Sequence, residues 1–345
     1  MPVLARINIS NLANLSTSQV SKDQSNDGLR IAAQNIDRTA EPGVALWWLQ
    51  DGHQPTLQDA KRRVDHFAEF GESPYAFTVR SDFTADQSIA PTWHVKTLLR
   101  MADDALIHAQ RISEWCGHGP ILEEDMALAN VALDYLGQTR ALYSYVGKIE
   151  GLSRDENDIA YWRADYDFYN SALVELPNSS KYGQRDYAIA ITKLFLHATW
   201  MQCALPGLRS SSDATLAAVA AKAIKENQYH AQHAGQWMCR LGDGTDESRE
   251  RVINALNVVW PYTHEWFVDD VASSAAASAK LCGLRSTVRA DWLIRVDSIL
   301  GQAKLTRPAD TDFMSSGKDG YHTESFSYLI NEMQSIARQH PGASW

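Results

Sequence analysis

Four polar residues are candidates for chemistry: Asn130 and Asp134 interrupt a long apolar stretch of the sequence, and Glu226 and His230 lie at a matching spacing in a second predicted helix. Asn130 and Asp134 are spaced i, i+4 in one stretch, and Glu226 and His230 have the same spacing in another. Each pair therefore shares one helix face. A carboxylate in such a setting is rare unless it is paired, hydrogen-bonded or bound to metal. The side chains could form a non-standard metal site, or satisfy one another through charge-assisted hydrogen bonds.

The histidine spacing argues against an ordinary di-iron site. Bundles that hold two irons take a glutamate from each of two helices and a Glu-x-x-His pair from each of the other two. Of the eleven histidines, only His322 has an acid three residues before it, and this residue, Asp319, lies in a glycine-containing segment. Neither Asp134 nor Glu226 is followed by a histidine at that spacing. The favoured interpretation is a hydrogen-bonded cluster, while a non-standard ligand set stays open.

Three further residues could complete such a ligand set. His197 could supply a nitrogen, and Asp103 or Asp104 could supply a carboxylate. The simpler interpretations are a structural histidine and solvated or capping acids. Other catalytic patterns are missing from the sequence, which has no G-x-S-x-G, no Walker loop and no G-x-G-x-x-G ahead of a helix. Gly317-Lys318-Asp319-Gly320 is interpreted as a simple turn because no strand precedes it.

The composition narrows the class of protein. The chain has 345 residues and a net charge of −10, which argues against a nucleic-acid or anionic-membrane surface as the main partner. No apolar run approaches the ~18 residues of a membrane span, and Met1-Pro2-Val3 opens no signal peptide. The expected compartment is the cytoplasm. The four cysteines form no Cys-x-x-Cys pair, and the eleven tryptophans predict large apolar contacts in the core or at a subunit interface.

Helical periodicity dominates from Trp93 onward. Long helices are predicted at 93–115, 121–149, 186–205 and 212–241, and shorter ones at 154–168, 246–269, 285–303 and 323–338. The long connection between the second and third long helices suits a bundle with a crossover, which is the ferritin-like arrangement. The predicted fold is therefore mainly α: a ferritin-like helical bundle preceded by a small α+β domain.

The stretch 121–149 carries the densest helical signal. Apolar residues recur there at steps of three and four and are predicted to form the buried face: Leu122, Met126, Ala129, Leu133 and Leu136. Between Met126 and Leu136 only Asn130 and Asp134 are polar. The helix is therefore apolar on almost every side, which predicts burial within the bundle.

The first part of the chain has a different pattern. Predicted strands near 3–9, 44–49 and 76–80 alternate with predicted helices at 27–38 and 57–70. The predicted domains are a small α+β domain at 1–85, a linker at 86–92 and a helical domain at 93–345. WWLQDGHQPT and DAKRRVDHFAEFGESPYAFTVR resemble the C-terminal part of DUF3291, a family of small uncharacterised domains, and the opening strand resembles its start. The middle of that family has no counterpart here, so the domain is predicted to be abbreviated.

From about Leu98 to the C-terminus, several motifs occur in order. They are SEWCGHGP, LEEDMALANVALDYLGQTR, AKAIKENQYH, LGDGTDES and the ending GKDGYHTE…MQSIARQHPGASW. This part of the chain resembles the PaaC family, the structural subunit of the bacterial 1,2-phenylacetyl-CoA epoxidase. The missing histidines agree with the non-catalytic member of that system.

The resemblance implies a ferritin-like subunit that has lost its di-iron ligands and pairs with an iron-bearing PaaA-like catalytic subunit. A reductase of the same system would supply electrons, and the complex would epoxidise phenylacetyl-CoA in aerobic phenylacetate degradation. Asp134 and Glu226 stand where such a degenerate site keeps acids. The expected structural remnants of the metal site are Asp134, Glu226, His230 and Asn130. No catalytic residue, metal or cofactor is expected in this chain, and no nucleic acid or membrane is expected as a partner.

Two alternatives remain open at this point. The chain could itself be a di-iron carboxylate oxygenase with a non-standard site around Asp134, Glu226 and His230. It could also be a fusion whose N-terminal domain has an independent binding role, because that segment is foreign to the PaaC family.

Overall fold

The computed structural model describes residues 6–8, 44–46, 92–179, 184–341 and 343. The chain divides into two units, Met1–Thr92 and Trp93–Trp345. In the first unit, β1 (Arg6–Asn8) and β2 (Val44–Leu46) form an antiparallel pair. The third predicted strand and both predicted helices of this unit lie outside the described residues, as does the predicted linker apart from Thr92.

The described part of the second unit contains ten α-helices. Four are long: α1 (Trp93–Ser113), α2 (Leu122–Ile149), α5 (Tyr187–Arg209) and α6 (Ala214–Gly242). The others are α3 (Glu156–Tyr161), α4 (Ala172–Glu175), α7 (Asp246–Val259), α8 (Val271–Ser278), α9 (Arg289–Gln302) and α10 (Glu324–Gln339). Short 3₁₀ helices occur at Asp165–Asp167, Trp260–Phe267, Arg285–Val288 and Gly317–Asp319.

The four long helices form the predicted bundle. α1 packs against α2, α5 packs against α6, and α2 also packs against α6. One long connection, residues 150–186, joins the α1–α2 pair to the α5–α6 pair and carries α3 and α4. Two helix pairs joined by such a crossover are the ferritin-like arrangement, so the predicted fold of this part is confirmed.

The prediction of which face of α2 is buried is wrong. Leu122, Met126 and Leu133 are 72%, 59% and 63% exposed. The face that packs into the bundle instead carries Tyr135 and Tyr143, each 1% exposed. A helix that is apolar on nearly every side presents two stripes with the helical period, and periodicity alone does not say which one meets the neighbouring helices.

α5 continues through Pro206 to Arg209, whereas the sequence predicted an end before Pro206-Gly207. A proline removes one hydrogen bond from a helix interior, but Leu205 and Leu208 beside it are buried and hold the last turn against the bundle. By length and composition α5 is the one described helix that could cross a membrane, with a hydropathy of 1.2. Because 78% of the most apolar 18-residue stretch of α5 is buried inside the protein, α5 has the character of a core helix.

The segments outside the four long helices differ more from prediction. The predicted helix 246–269 ends as an α-helix at Val259 and continues as the 3₁₀ helix Trp260–Phe267, whose second residue is a proline. Of the predicted helix 154–168, the structure forms only α3 as an α-helix. α3 begins with a capping box at Asp155. α4 and α8 were not predicted, because helices of four and eight residues are too short to show a period.

Several tryptophans lie in the core. Trp260 and Trp292 stack with ring centroids 5.1 Å apart, and Trp200 and Trp266 stack at the same distance. All four are at most 7% exposed. These rings fill the space between α5, α9 and the 3₁₀ helix Trp260–Phe267, so they serve the packing of the unit itself.

Candidate functional site

Each of the four long helices contributes one ring to the centre of the bundle. These residues, the ring cluster, are His108 of α1, Tyr135 of α2, His197 of α5 and His230 of α6, and each is at most 1% exposed. The centroids of His108 and His197 are 4.6 Å apart, those of Tyr135 and His230 are 5.0 Å apart, and those of His108 and Tyr135 are 5.1 Å apart. The centre of the bundle is therefore filled by aromatic and imidazole rings in direct contact.

The ring cluster is uncharged at neutral pH. Burial lowers the pKa of His108 well below its usual value, lowers the pKa of His197 to about 3, and lowers the pKa of His230. The same burial raises the pKa of Tyr135. Within the cluster, Tyr135 Oη lies 3.1 Å from Nδ1 of His197. The other nitrogens include three buried atoms without a partner in the described part of the chain: Nδ1 of His108, Nε2 of His197 and Nδ1 of His230.

The predicted acids lie at the edge of this cluster. Asp134 Oδ2 is 3.0 Å from His230 Nε2, and the Asp134 side chain is 38% exposed. Glu226 accepts a hydrogen bond from Gln138 at 3.1 Å and pairs with Lys222 at 3.1 Å. The two carboxylates therefore face the α2–α6 seam and are already engaged there.

The structure separates the four predicted remnant residues. It brings Asp134 and His230 into contact. Burial lowers the pKa of His230, and the nearby carboxylates of Asp134 and Glu226 only partly oppose that shift. Asn130, by contrast, is exposed and forms no hydrogen bond to the described residues. It therefore does not belong to the hydrogen-bonded cluster that the sequence predicted: Asn130 lies at the exposed edge of α2, one turn before Asp134 reaches the seam.

The residues at the bundle centre do not fit a di-iron centre. Such a centre needs four carboxylates and two histidines facing one another between the helices, whereas here the corresponding space holds three imidazoles and a phenol. The nearby carboxylates of Asp134 and Glu226 are bound at the seam. In the part of the chain that the structure describes, no group of three or more His, Cys, Asp or Glu residues is arranged to hold a metal ion.

Asp103 and Asp104 are neither solvated nor part of the ring cluster. Asp103 is fully buried and forms a bidentate ion pair with Arg163, with N–O distances of 2.6 and 3.0 Å, and accepts a hydrogen bond from Tyr143. Asp104 accepts hydrogen bonds from the backbone and hydroxyl of Ser171 at 2.6 and 2.8 Å. Burial raises the pKa of Asp104 to about 7. Both partners come from the crossover connection, which local spacing in α1 could not indicate.

Asp319 and His322, the acid and histidine spaced i, i+3 in the sequence, bind different partners in the structure. Asp319 accepts a hydrogen bond from Arg100 at 2.7 Å, whereas His322 contacts Glu175 at 2.7 Å. The segment from Gly317 forms the predicted turn, and a Cβ at Gly317 would lie 2.5 Å from a backbone oxygen of the crossover connection. Lys318 donates to a backbone carbonyl, that of Val268, so it is used in packing the turn.

A second surface feature lies on the outside of the α2–α6 pair. Leu122, Met126 and Leu133 form an exposed stripe on α2, and Tyr229 of α6 is 51% exposed. Tyr229 stacks on His233 with centroids 5.6 Å apart, and His233 contacts a carboxylate of α2 at 2.9 Å. Leu122, Met126 and Leu133 share one face of α2, and together with Tyr229 they are called the α2–α6 patch. Sequence reasoning missed this patch because it assigned the α2 stripe to the core.

Two parts of the chain each match a known protein family. Residues 81–345 match the PaaA_PaaC family, described as "Phenylacetic acid catabolic protein", and residues 8–92 match "Domain of unknown function (DUF3291)". A relative from Escherichia coli (strain K12), which is one of the subunits of 1,2-phenylacetyl-CoA epoxidase, is 38% identical over 247 residues. These residues cover 72% of this chain and 97% of the relative. Both resemblances predicted from the sequence are confirmed.

Proposed function

The chain belongs to the PaaA_PaaC family of phenylacetic acid catabolic proteins, and from this premise we propose that it is the non-catalytic structural subunit of a multicomponent di-iron oxygenase. The assembly would epoxidise the ring of phenylacetyl-CoA, the substrate in the name of the E. coli relative. A PaaA-like partner subunit would hold the irons, and a separate reductase would supply electrons. The expected compartment is the cytoplasm.

The observation that carries this proposal is the content of the bundle centre. The space between the four long helices holds the neutral rings of His108, Tyr135, His197 and His230. Replacing ligands by rings in direct contact keeps the core packed without metal, since a buried core tolerates few voids. A chain built in this way supplies shape and an interface and provides no redox centre.

The α2–α6 patch supports a role in assembly. Large apolar side chains that are exposed together on one face mark an interaction surface more often than isolated exposed ones do. Leu122, Met126, Leu133 and Tyr229 are each more than half exposed. Polar pairs at the neighbouring seam, such as Asp134–His230, would form part of the rim of such an interface.

Metal analysis tests the non-catalytic part of the proposal. The full chain, purified after expression with added iron, is expected to contain no stoichiometric iron, whereas a PaaA-like subunit treated in the same way should contain it. Two irons per purified chain would overturn the proposal and favour an oxygenase with a non-standard site around Asp134, Glu226 and His230.

Co-purification tests the pairing. The wild-type chain should co-elute with a PaaA-like subunit, and the double variant Met126→Glu/Leu133→Glu should lose most of that binding because it places two charges in the patch. Ile294→Glu is the matched control, since Ile294 is 68% exposed but lies on α9. No association of the wild-type chain at micromolar concentration would contradict the pairing, and equal losses in both variants would place the interface elsewhere.

A further inference from the structure

A cavity of about 210 Å³ lies beside the ring cluster. Residues of all four long helices line it, and the segment 282–288 closes one side. Gly283, Leu284 and Thr287 of that segment are exposed, so the cavity opens to solvent there. A dry apolar cavity of about 150 Å³ is large enough to bind benzene. This cavity therefore has room for one aromatic ring and a short substituent.

Most of the cavity wall is apolar. Aliphatic and sulfur-containing side chains from the four helices face it: Met101, Leu142, Leu205, Leu208, Val219 and Ala223. Tyr135, His197 and Trp200 add ring surfaces at the inner end. Such a wall favours a hydrocarbon or aromatic body.

A few polar groups in the wall have unused hydrogen-bonding capacity. Nε1 of Trp200 and Nε2 of His197 are buried without a partner among the described residues. Buried polar groups are normally paired, so these groups indicate that a ligand supplies what the protein does not.

The two arginines of the wall differ in how they are used. The Arg100 guanidinium donates to Asp270, to Asp319 and to the backbone carbonyl of Lys318. The Arg285 guanidinium donates no hydrogen bond to the described residues. Burial and the nearby charge of Arg100 lower its pKa, and the carboxylates of Asp104 and Asp270 oppose that shift. Arg285 therefore offers a guanidinium with unused hydrogen-bond donors near the mouth of an apolar cavity, and such a group can bind a carboxylate.

We propose that this cavity binds one small aromatic or aliphatic carboxylic acid, with the apolar body between α1, α2, α5 and α6 and the carboxylate on Arg285. The cavity volume excludes a nucleotide-sized group, so a coenzyme A thioester would not fit inside. A neutral alcohol of the same size would fill the apolar part and leave Arg285 unpaired.

Calorimetric titration of the full chain tests the proposal, with phenylacetate as the probe and 2-phenylethanol as its neutral counterpart. Phenylacetate is small enough for the cavity and carries the carboxylate that Arg285 would bind. We expect one phenylacetate per chain with a dissociation constant below about 1 mM, and weaker binding of the alcohol. Lack of saturable phenylacetate binding at about 10 mM would overturn the proposal.

Two variants locate the ligand. Arg285→Gln should weaken phenylacetate binding by about tenfold or more and leave 2-phenylethanol nearly unchanged, because it removes a charge-assisted contact. Arg251→Gln is the matched control, since Arg251 is exposed and, among the described residues, pairs with Glu247 on its own helix alone. Equal affinity of Arg285→Gln and wild type for phenylacetate would place the carboxylate elsewhere and overturn the assignment.

A cavity-filling variant separates loss of the site from loss of the fold. Ala223→Leu adds volume at the wall and should weaken both ligands, while the circular dichroism spectrum stays that of the wild type. Unchanged binding in this variant would exclude the cavity as the site. Because the isolated chain is titrated, failure here leaves the proposed assembly with a PaaA-like subunit untouched, and failure of that assembly leaves this result untouched.

Discussion

The carboxylate of Asp134 lies 3.0 Å from Nε2 of His230, across the seam between α2 and α6. This contact joins a partly exposed acid to a fully buried imidazole whose second nitrogen, Nδ1, has no partner among the described residues. Asp134 therefore provides the one hydrogen bond that the structure gives to the His230 ring. The pair holds α2 against α6 at the level of the ring cluster.

Removing the acid should destabilise the fold. Asp134→Ala leaves the His230 ring without any hydrogen bond in a buried position, and we expect the free energy of unfolding to fall by about 1–2 kcal/mol. Asn130→Ala, four residues earlier on the same helix, should change it by less than about 0.5 kcal/mol, because Asn130 is exposed. Urea denaturation of both variants measures the difference, and similar values for the two would contradict a structural role for the Asp134–His230 contact.

Acid should unfold this protein partly through its buried histidines. The folded-state pKa of His197 is lowered to about 3 by burial, whereas the unfolded chain protonates this residue near the usual 6.5. Between these values the unfolded state binds more protons, so the stabilisation present above 6.5 is lost as the pH falls towards 3. His197 alone should contribute a slope of about 1.4 kcal/mol per pH unit in this window.

Denaturation at a series of pH values checks this slope. His197→Gln should make the fall in unfolding free energy between pH 6 and pH 4 less steep, by about 1.4 kcal/mol per pH unit. This change in slope is independent of any effect of the substitution on stability at pH 7. The control is His118→Gln, since His118 is exposed and lies in the turn after α1. A slope that is the same in all three proteins would show that His197 is not the buried neutral group described here.

The ion pair between Asp103 and Arg163 should be among the most sensitive positions of the unit. Asp103→Ala leaves the guanidinium buried and uncompensated, and it also removes the acceptor of the Tyr143 hydroxyl and of the Tyr169 backbone N–H. Such losses cost about 3–5 kcal/mol. Asp297→Ala breaks an exposed pair with Arg307 and should cost less than about 1 kcal/mol. Thermal unfolding distinguishes the two, and equal shifts in melting temperature would contradict the importance of the buried pair.

Helix periodicity was enough to predict the bundle but could not orient α2. The four long helices and the crossover are visible in the sequence because each helix presents many turns of apolar repeat. Which stripe of α2 faces inward depends on the partners that α1 and α6 offer, and Leu133 and Tyr135 fit the helical period equally well. The same limit explains Pro206, where packing of the neighbouring leucines keeps the last turn of α5 helical.

The site was predictable where it depends on residue type and not where it depends on distant partners. The absence of histidines one turn beyond the acids is a property of the sequence, and the expectation drawn from it, that this chain holds no metal, stays a prediction. The ring cluster was missed because His108, Tyr135 and His197 come from three different helices. The sequence left Asp103 open between a metal ligand and a solvated or capping acid, because Arg163, its partner, lies 60 residues away in the crossover connection.

The N-terminal unit should be dispensable for the helical fold. The structure divides the chain into two units after Thr92. The E. coli relative matches 72% of this chain over 97% of its own length, so it has no counterpart to the rest of this chain. A chain lacking Met1–Thr92 should keep the helical circular dichroism of the bundle and should still co-elute with a PaaA-like subunit. The full chain is the reference for both measurements. If the shortened chain folds but no longer co-elutes, the N-terminal unit takes part in assembly, and the idea that it has an independent binding role is wrong.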